Sequence, residues 1–71
     1  MGYVLKWHNN YSGEEGFVMQ VSNKNQYFVN TYEIGSARQY ASENMARKVI
    51  RQLETFGQGS QINNSFEIIA I

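Results

Sequence analysis

The chain has 71 residues, no cysteine, a single histidine and a formal net charge of zero. This length predicts one small domain over residues 1–71. The lack of cysteine excludes disulfides, thiolate metal sites and a cysteine nucleophile, and we expect neither a metal site nor a cofactor. Zero net charge removes the simplest electrostatic argument for binding to nucleic acid, so the composition favours protein partners.

The amino-terminal residues contain no pattern of a secretory signal, and no apolar run approaches the roughly 20 residues that span a bilayer. We therefore expect a cytoplasmic protein that does not contact a membrane.

Three strands are predicted in the first half of the chain, because apolar and polar residues alternate there. They cover Tyr3–His8, Gly16–Ser22 and Gln26–Tyr32. A polar loop over residues 9–15 and a turn at residues 23–25 separate them, which predicts an antiparallel meander.

The segment from Ser42 to Gly57 is predicted to be the main helix. Its apolar residues recur at steps of three and four, which is typical of one buried helix face: Ala46, Val49, Ile50, Leu53 and Phe56. Ser42 is placed to cap the first turn, and Gly57 can take the left-handed conformation that ends a helix. Leu53 is expected to be a buried anchor of this face.

The segment Glu33–Ala41 is predicted to be a turn or a short helical piece that packs Ala37 and Tyr40. One continuous helix from Ser36 is the competing interpretation. After the helix we expect a polar loop from Gln58 to Asn64.

Ser65–Ile71 is predicted to be the last strand, and its apolar character is typical of a central position in a sheet. We expect it to lie beside the first strand and parallel to it, which gives the strand order 4-1-2-3. Order 1-2-3-4 is the alternative. The predicted class is α+β, a three-stranded antiparallel meander plus one helix and a C-terminal strand (β-β-β-α-β), with the helix packed on one face of the sheet.

Alternation along the strands also predicts which side chains share a face. The helix is expected to cover Leu5, Trp7, Phe17, Met19, Val21 and Val29. The uncovered face would then hold Val4, Val18, Phe28, Tyr32, Ile69 and Ile71. An apolar surface with a polar rim is typical of a contact site, although loops could also fold over it. The candidate partner-binding residues are Val18, Phe28, Tyr32 and Tyr11.

Basic residues on and near the helix suggest an alternative function in nucleic-acid binding. The candidate residues are Arg38, Tyr40, Arg47, Lys48 and Arg51, with Tyr40 available for stacking on a base. However, Glu43 precedes Arg47 by four residues and Glu54 follows Arg51 by three, so these charges have local partners.

No enzyme activity is expected. His8, Glu14 and Glu15 belong to one loop and its border, with no second cluster to orient a catalytic base. Gly57-Gln58-Gly59 follows a helix and does not open one, so it is not a phosphate-binding loop.

The pattern Ile34-x-x-Ala37-Arg38-x-Tyr40-x-Ser42-x-x-x-Ala46, followed by Leu53 and Phe66-Glu67-Ile68, resembles short phage-encoded β-β-β-α-β proteins of Gram-positive hosts. Some small proteins of this kind are anti-CRISPR or other anti-defence inhibitors. A looser similarity exists to antitoxins that pair a meander with a helix.

This resemblance implies a phage-type inhibitor that docks on a host protein in the host cytoplasm, without catalysis. A small nucleic-acid-binding or antitoxin-like regulatory module is the alternative. Because a short chain without disulfides has little core, we also expect a homodimer at micromolar concentration.

Overall fold

The computed structural model describes residues 2–56 and 64–71. The elements are β1 (Tyr3–Asn9), β2 (Glu15–Ser22), β3 (Tyr27–Thr31), a 3-10 helix (Ile34–Ser36), α1 (Glu43–Thr55) and β4 (Asn64–Ala70). The predicted α+β class and the order β-β-β-α-β are confirmed.

The strands form one sheet in the order β3-β2-β1-β4, which confirms the predicted order. The predicted parallel pairing of the last strand is wrong, because β4 runs antiparallel to β1 from Tyr3↔Ala70 to Asn9↔Asn64. The antiparallel direction of β4 follows from the place where α1 begins. Tyr40 pairs with Tyr3 at the start of β1, so α1 carries the chain to the other end of β1 and β4 runs back.

Helix α1 begins as the sequence predicts. The Ser42 hydroxyl oxygen accepts a hydrogen bond from the Met45 N–H at 3.2 Å, and Glu43 lies in the first turn at the positive end of the helix dipole. The C-cap is Phe56. The predicted helix end at Gly57 and residues 58–63 of the predicted loop lie outside the described residues. Asn64, predicted to end that loop, is instead the first residue of β4. No helix in the described part of the chain is long and apolar enough to cross a membrane.

The segment before α1 contains a short 3-10 helix at Ile34–Ser36, so the competing prediction of one helix from Ser36 is wrong. Ala37 and Tyr40 are both buried, which confirms that this segment packs these two side chains. The Arg38 N–H donates to the Val18 carbonyl at 3.1 Å, which ties the segment to β2.

One cluster of buried side chains joins α1 to the sheet. It contains Leu5, Trp7, Val18, Tyr40, Ala46, Leu53 and Phe56. The predicted apolar face of the helix and the burial of Leu53 are therefore confirmed. Val49 and Ile50 are partly buried against the same cluster.

A β-bulge in β2 explains why the predicted faces are partly wrong. Val18 pairs with Asn30 but Gln20 pairs with Val29, so Met19 is an extra residue on β2. The extra residue resets the alternation, and both Val18 and Val21 pack toward the helix side.

Several residues of β2 and β3 therefore lie on a different face of the sheet from the one predicted. Val18 and Phe28 pack against the cluster on the helix side and are not on the opposite face. Phe17 pairs with Lys6, and Val29 pairs with Gln20. These pairings place Phe17 and Val29 on the face away from the helix. The bulged Met19 is 39% exposed and is not covered by the helix.

The face away from the helix is less apolar than predicted. Lys6 lies at its centre, with its ammonium nitrogen 3.4 Å from a Glu15 carboxylate oxygen and 3.9 Å from a Glu67 carboxylate oxygen. Val4 is on this face but is fully buried, whereas Ile71 is exposed. The predicted apolar surface therefore carries a group of ion pairs around Lys6, which is predicted to lie on this face, and has lost Val18, Phe28 and Tyr32 to the other face.

Candidate functional site

The sheet is curled at the end where β1 finishes, and aromatic rings line its concave side. The ring centroid of Trp7 lies 6.3 Å from that of Phe28 and 6.3 Å from that of Tyr32. The prediction that Phe28 and Tyr32 project from the same side is thus confirmed. The predicted side is wrong, because Trp7 belongs to the helix-facing cluster.

The loop between β1 and β2 is held in shape by Asn9. Its side-chain oxygen accepts hydrogen bonds from the N–H groups of Tyr11 at 2.9 Å and Ser12 at 2.8 Å. Gly13 has a φ of 80°, a conformation that favours glycine, and its N–H donates to the Asn9 carbonyl at 2.9 Å. These bonds place Ser12 and Glu14 over the end of the sheet.

A cavity of about 310 Å³ opens between this loop and the aromatic rings. Among the described residues it is lined by Trp7, Asn9, Ser12, Glu14, Phe28, Asn30 and Asn64, and we call it the aromatic pocket. It combines two apolar rings with a rim of amide, hydroxyl and carboxylate groups. This combination is typical of binding pockets, in which apolar surface supplies contact area and a few polar groups fix orientation.

Some polar groups of the aromatic pocket are already paired. The Asn9 amide nitrogen donates to the Asn64 side-chain oxygen at 3.0 Å, which joins the ends of β1 and β4. The Tyr32 hydroxyl donates to a Glu14 carboxylate oxygen at 3.3 Å. The Glu14 carboxylate is the only charged group among the described lining residues.

The predicted partner-binding residues therefore have different positions. Val18 is fully buried, so its assignment to a binding surface is wrong. Phe28 is half-buried and lines the aromatic pocket. Tyr32 is 65% exposed and does not line that pocket, but its hydroxyl bonds to the lining residue Glu14. Tyr11 is 88% exposed and comes directly before the lining residue Ser12 in the loop.

Sequence reasoning missed Trp7, Asn9, Asn30 and Asn64 as pocket residues. The sequence does contain a signal for some of them. Two consecutive asparagines, Asn9-Asn10, follow the first predicted strand, and two more, Asn63-Asn64, precede the last one. Asn10 also donates from its amide nitrogen to the Ser65 hydroxyl at 2.8 Å.

The basic residues proposed for nucleic-acid binding are only partly brought together. Asn44, Arg47, Lys48 and Arg51 line a shallow cleft of about 210 Å³ on the exposed side of α1. Arg47 makes the predicted ion pair with Glu43, at 3.3 Å. Within the described residues, no ion pair joins Arg51 to Glu54.

Tyr40 cannot stack on a base, because its side chain is buried, and this prediction is wrong. The Arg38 guanidinium carbon lies 5.6 Å from the centroid of the Tyr40 ring. Burial raises the pKa of the Tyr40 phenol above its ordinary value of 10.0, and the positive charge of Arg38 opposes this shift.

The residues considered for catalysis each have other partners. The His8 ring nitrogen Nδ1 lies 3.2 Å from the Asn10 side-chain oxygen, Glu14 accepts from Tyr32, and Glu15 pairs with Lys6. Within residues 2–56 and 64–71, no three His, Cys, Asp or Glu side chains form a group that could hold a metal ion.

Fold and site together define a small α+β domain with an open aromatic pocket at one end of a curled antiparallel sheet. Comparisons with protein-family models, curated proteins and solved structures find no match to this chain.

Proposed function

We propose that the protein is a non-catalytic binding protein that docks on another protein, in the manner of phage-type anti-defence inhibitors that act on a host protein. The observation that supports this proposal is the presence of two exposed tyrosines near the aromatic pocket. Tyr32 bonds to the pocket residue Glu14, and Tyr11 lies in the loop that lines one side of the pocket. We call these two side chains and the aromatic pocket the docking end.

The docking end has the composition of a protein interface. Tyrosine is enriched in interfaces because its ring offers a large contact area and its hydroxyl a hydrogen bond, at little cost in side-chain entropy. Tyr32 is additionally held by its bond to Glu14, which reduces the entropy that it loses on binding. A concave pocket beside these rings can receive an anchor side chain of the partner.

Occupation of a functional surface on the host protein would be sufficient for inhibition, so the proposal requires no catalytic group. Self-association into a homodimer stays a prediction. The face away from the helix offers a dimer less apolar contact area than predicted, because Lys6 forms ion pairs there.

The second candidate function is nucleic-acid binding through α1, and one observation favours it. Arg47, Lys48 and Arg51 project into the same shallow cleft, where a phosphate group could contact all three. Neither Lys48 nor Arg51 makes an ion pair within the described residues.

The two functions are separated by a pull-down of tagged protein from lysate of a Gram-positive host, with matched variants. Under the proposal, Tyr11→Ser and Tyr32→Ser each weaken capture of one host protein, by up to about thirtyfold for an anchor at an interface centre. Tyr27→Ser is the control, because Tyr27 is 47% exposed but lies outside the docking end.

Circular dichroism on the same samples verifies that the variants are folded. Capture that persists in the folded tyrosine variants would contradict the proposal. Binding to DNA that falls steeply with salt and is lost in Lys48→Gln and Arg51→Gln would instead support the second function.

A further inference from the structure

We propose that the aromatic pocket binds the guanidinium group of an arginine side chain presented by the partner protein. This inference rests on the proposed docking function and specifies which chemical group the partner inserts.

The charge of the aromatic pocket favours a cation. Glu14 supplies the only charged group among the described lining residues, so the pocket is negative. Lys6, the basic residue of β1, makes its ion pairs with Glu15 and Glu67. No basic side chain of the described residues makes an ion pair with Glu14, so its exposed carboxylate is available to pair with a bound cation.

The aromatic rings favour the same kind of ligand. A cation within about 6 Å of an aromatic ring centroid is attracted by the negative face of the ring, and arginine is the commonest protein partner in such contacts. Trp7 and Phe28 line the pocket with rings tilted by 55° to each other, and the Tyr32 ring lies against the edge of this pair, 6.3 Å from Trp7. A planar guanidinium can stack against one ring while its edge stays available for hydrogen bonds.

The unpaired side-chain oxygens of the pocket match the donors of a guanidinium. The buried Trp7 Nε1 also lacks a partner among the described residues, but it is a donor and plays no part in this match. The guanidinium N–H groups require acceptors, and one Glu14 carboxylate oxygen accepts only from Tyr32 while the other makes no bond within the described residues. The Asn30 side chain makes no hydrogen bond within the described part of the chain, so its oxygen is a second acceptor. The Asn9 oxygen is already occupied by the loop N–H groups.

A neutral, hydroxyl-rich ligand is the competing occupant. It could bond to the amides of Asn30 and Asn64, but it would gain no ion pair with the Glu14 carboxylate. The volume of about 310 Å³ accommodates either ligand, so charge decides between them.

The test is an NMR titration of the full chain with N-acetyl-arginine methylamide and with the citrulline analogue, which has nearly the same shape but no charge. We expect the arginine probe to shift the Trp7 indole N–H and the side-chain amides of Asn30 and Asn64. It should bind about tenfold more tightly than the citrulline probe. Glu14→Gln should remove this preference, and Glu33→Gln, at an exposed acidic residue outside the pocket, should leave it unchanged.

Equal affinity for the two probes, or a preference that survives in Glu14→Gln, would overturn the inference. Tighter binding of methyl glucoside with the same shifts would also overturn it, in favour of the neutral ligand. The proposed docking function is tested separately. If Tyr11→Ser and Tyr32→Ser abolish capture while the arginine probe shows no preference, the inference fails and the docking function stands.

Discussion

The rings of Phe28 and Phe66 lie 5.7 Å apart at their centroids, although they belong to β3 and β4, the two edge strands of the sheet. Neighbouring strands are about 4.8 Å apart, so a flat four-stranded sheet would hold the backbones of its edge strands roughly 14 Å from each other. Curling of the sheet, together with the reach of the two side chains toward Trp7, brings the rings into contact. This curl creates the concave surface on which the aromatic pocket lies.

Truncation of Phe28 should destabilise the fold by about 2–4 kcal/mol, because Phe28→Ala removes contacts to both Trp7 and Phe66. Urea unfolding followed by circular dichroism measures this loss. Tyr27→Ala is the control on the same strand, at an exposed position, and should cost much less. A Phe28→Ala variant as stable as the parent would show that the edge-to-edge aromatic contact does not hold the curl.

Leu53 is the best-buried large side chain of α1, and Leu53→Ala should cost about 2–5 kcal/mol. A change of this size can unfold a small domain, since total stabilities are only about 5–15 kcal/mol. Met45→Ala on the same helix is the matched control, because Met45 is exposed. Thermal melts of both variants are the measurement, and a Leu53→Ala midpoint within a degree or two of the parent would contradict the observed packing of α1.

The features that the sequence predicts correctly are local ones. The cap at Ser42 and the apolar face through Leu53 depend on residues within a few positions of each other, so spacing alone reveals them. The strands are predicted for the same reason. In each case the interacting groups are close in sequence.

The features that the sequence does not predict depend on one extra residue in a strand or on partners far apart in the chain. Met19 bulges from β2 and shifts the face of every later residue on that strand, and nothing in the alternation around it signals the shift. The aromatic pocket needs the Asn9–Asn64 bond, which joins residues 55 positions apart. The direction of β4 depends on the pairing of Tyr40 with Tyr3, which is equally non-local.

Gly16 should tolerate no larger residue, because a Cβ atom there would lie 2.9 Å from the Thr31 carbonyl oxygen and 3.0 Å from Trp7 Nε1. Gly16→Ala should therefore cost about 1–3 kcal/mol through overpacking. Gly35→Ala is the matched control, since a Cβ atom at Gly35 would meet nothing within 4 Å. That variant should be neutral or slightly stabilised, because alanine restricts the unfolded chain.

Urea unfolding of the two glycine variants provides the comparison. If both variants have the same stability, the close approach of β1, β2 and β3 around Gly16 is not present in solution. The indole fluorescence of Trp7, the only tryptophan, would report any local shift at this contact.

The burial of Tyr40 predicts that the protein loses stability at alkaline pH. Burial raises the pKa of its phenol above the ordinary value of 10.0, so the folded state holds this proton more tightly than the unfolded state does. The stability that results is fully present below pH 10.0 and is lost as the pH rises from there through the higher folded pKa. Ionisation would place a negative charge in the buried cluster, which only the nearby Arg38 could partly offset.

The variant Tyr40→Phe keeps the buried ring and removes the proton. At neutral pH its free energy of unfolding should lie within about 1 kcal/mol of the parent, since the Tyr40 hydroxyl makes no hydrogen bond within the described residues. Above pH 10.0 the variant should become progressively more stable than the parent, because its unfolding no longer releases this proton. Urea unfolding over this pH range is the measurement, and Tyr27→Phe, at an exposed position, should follow the parent throughout. Parallel curves for Tyr40→Phe and the parent would show that Tyr40 ionises as readily in the folded protein as in the unfolded chain, and would contradict its burial between α1 and β1.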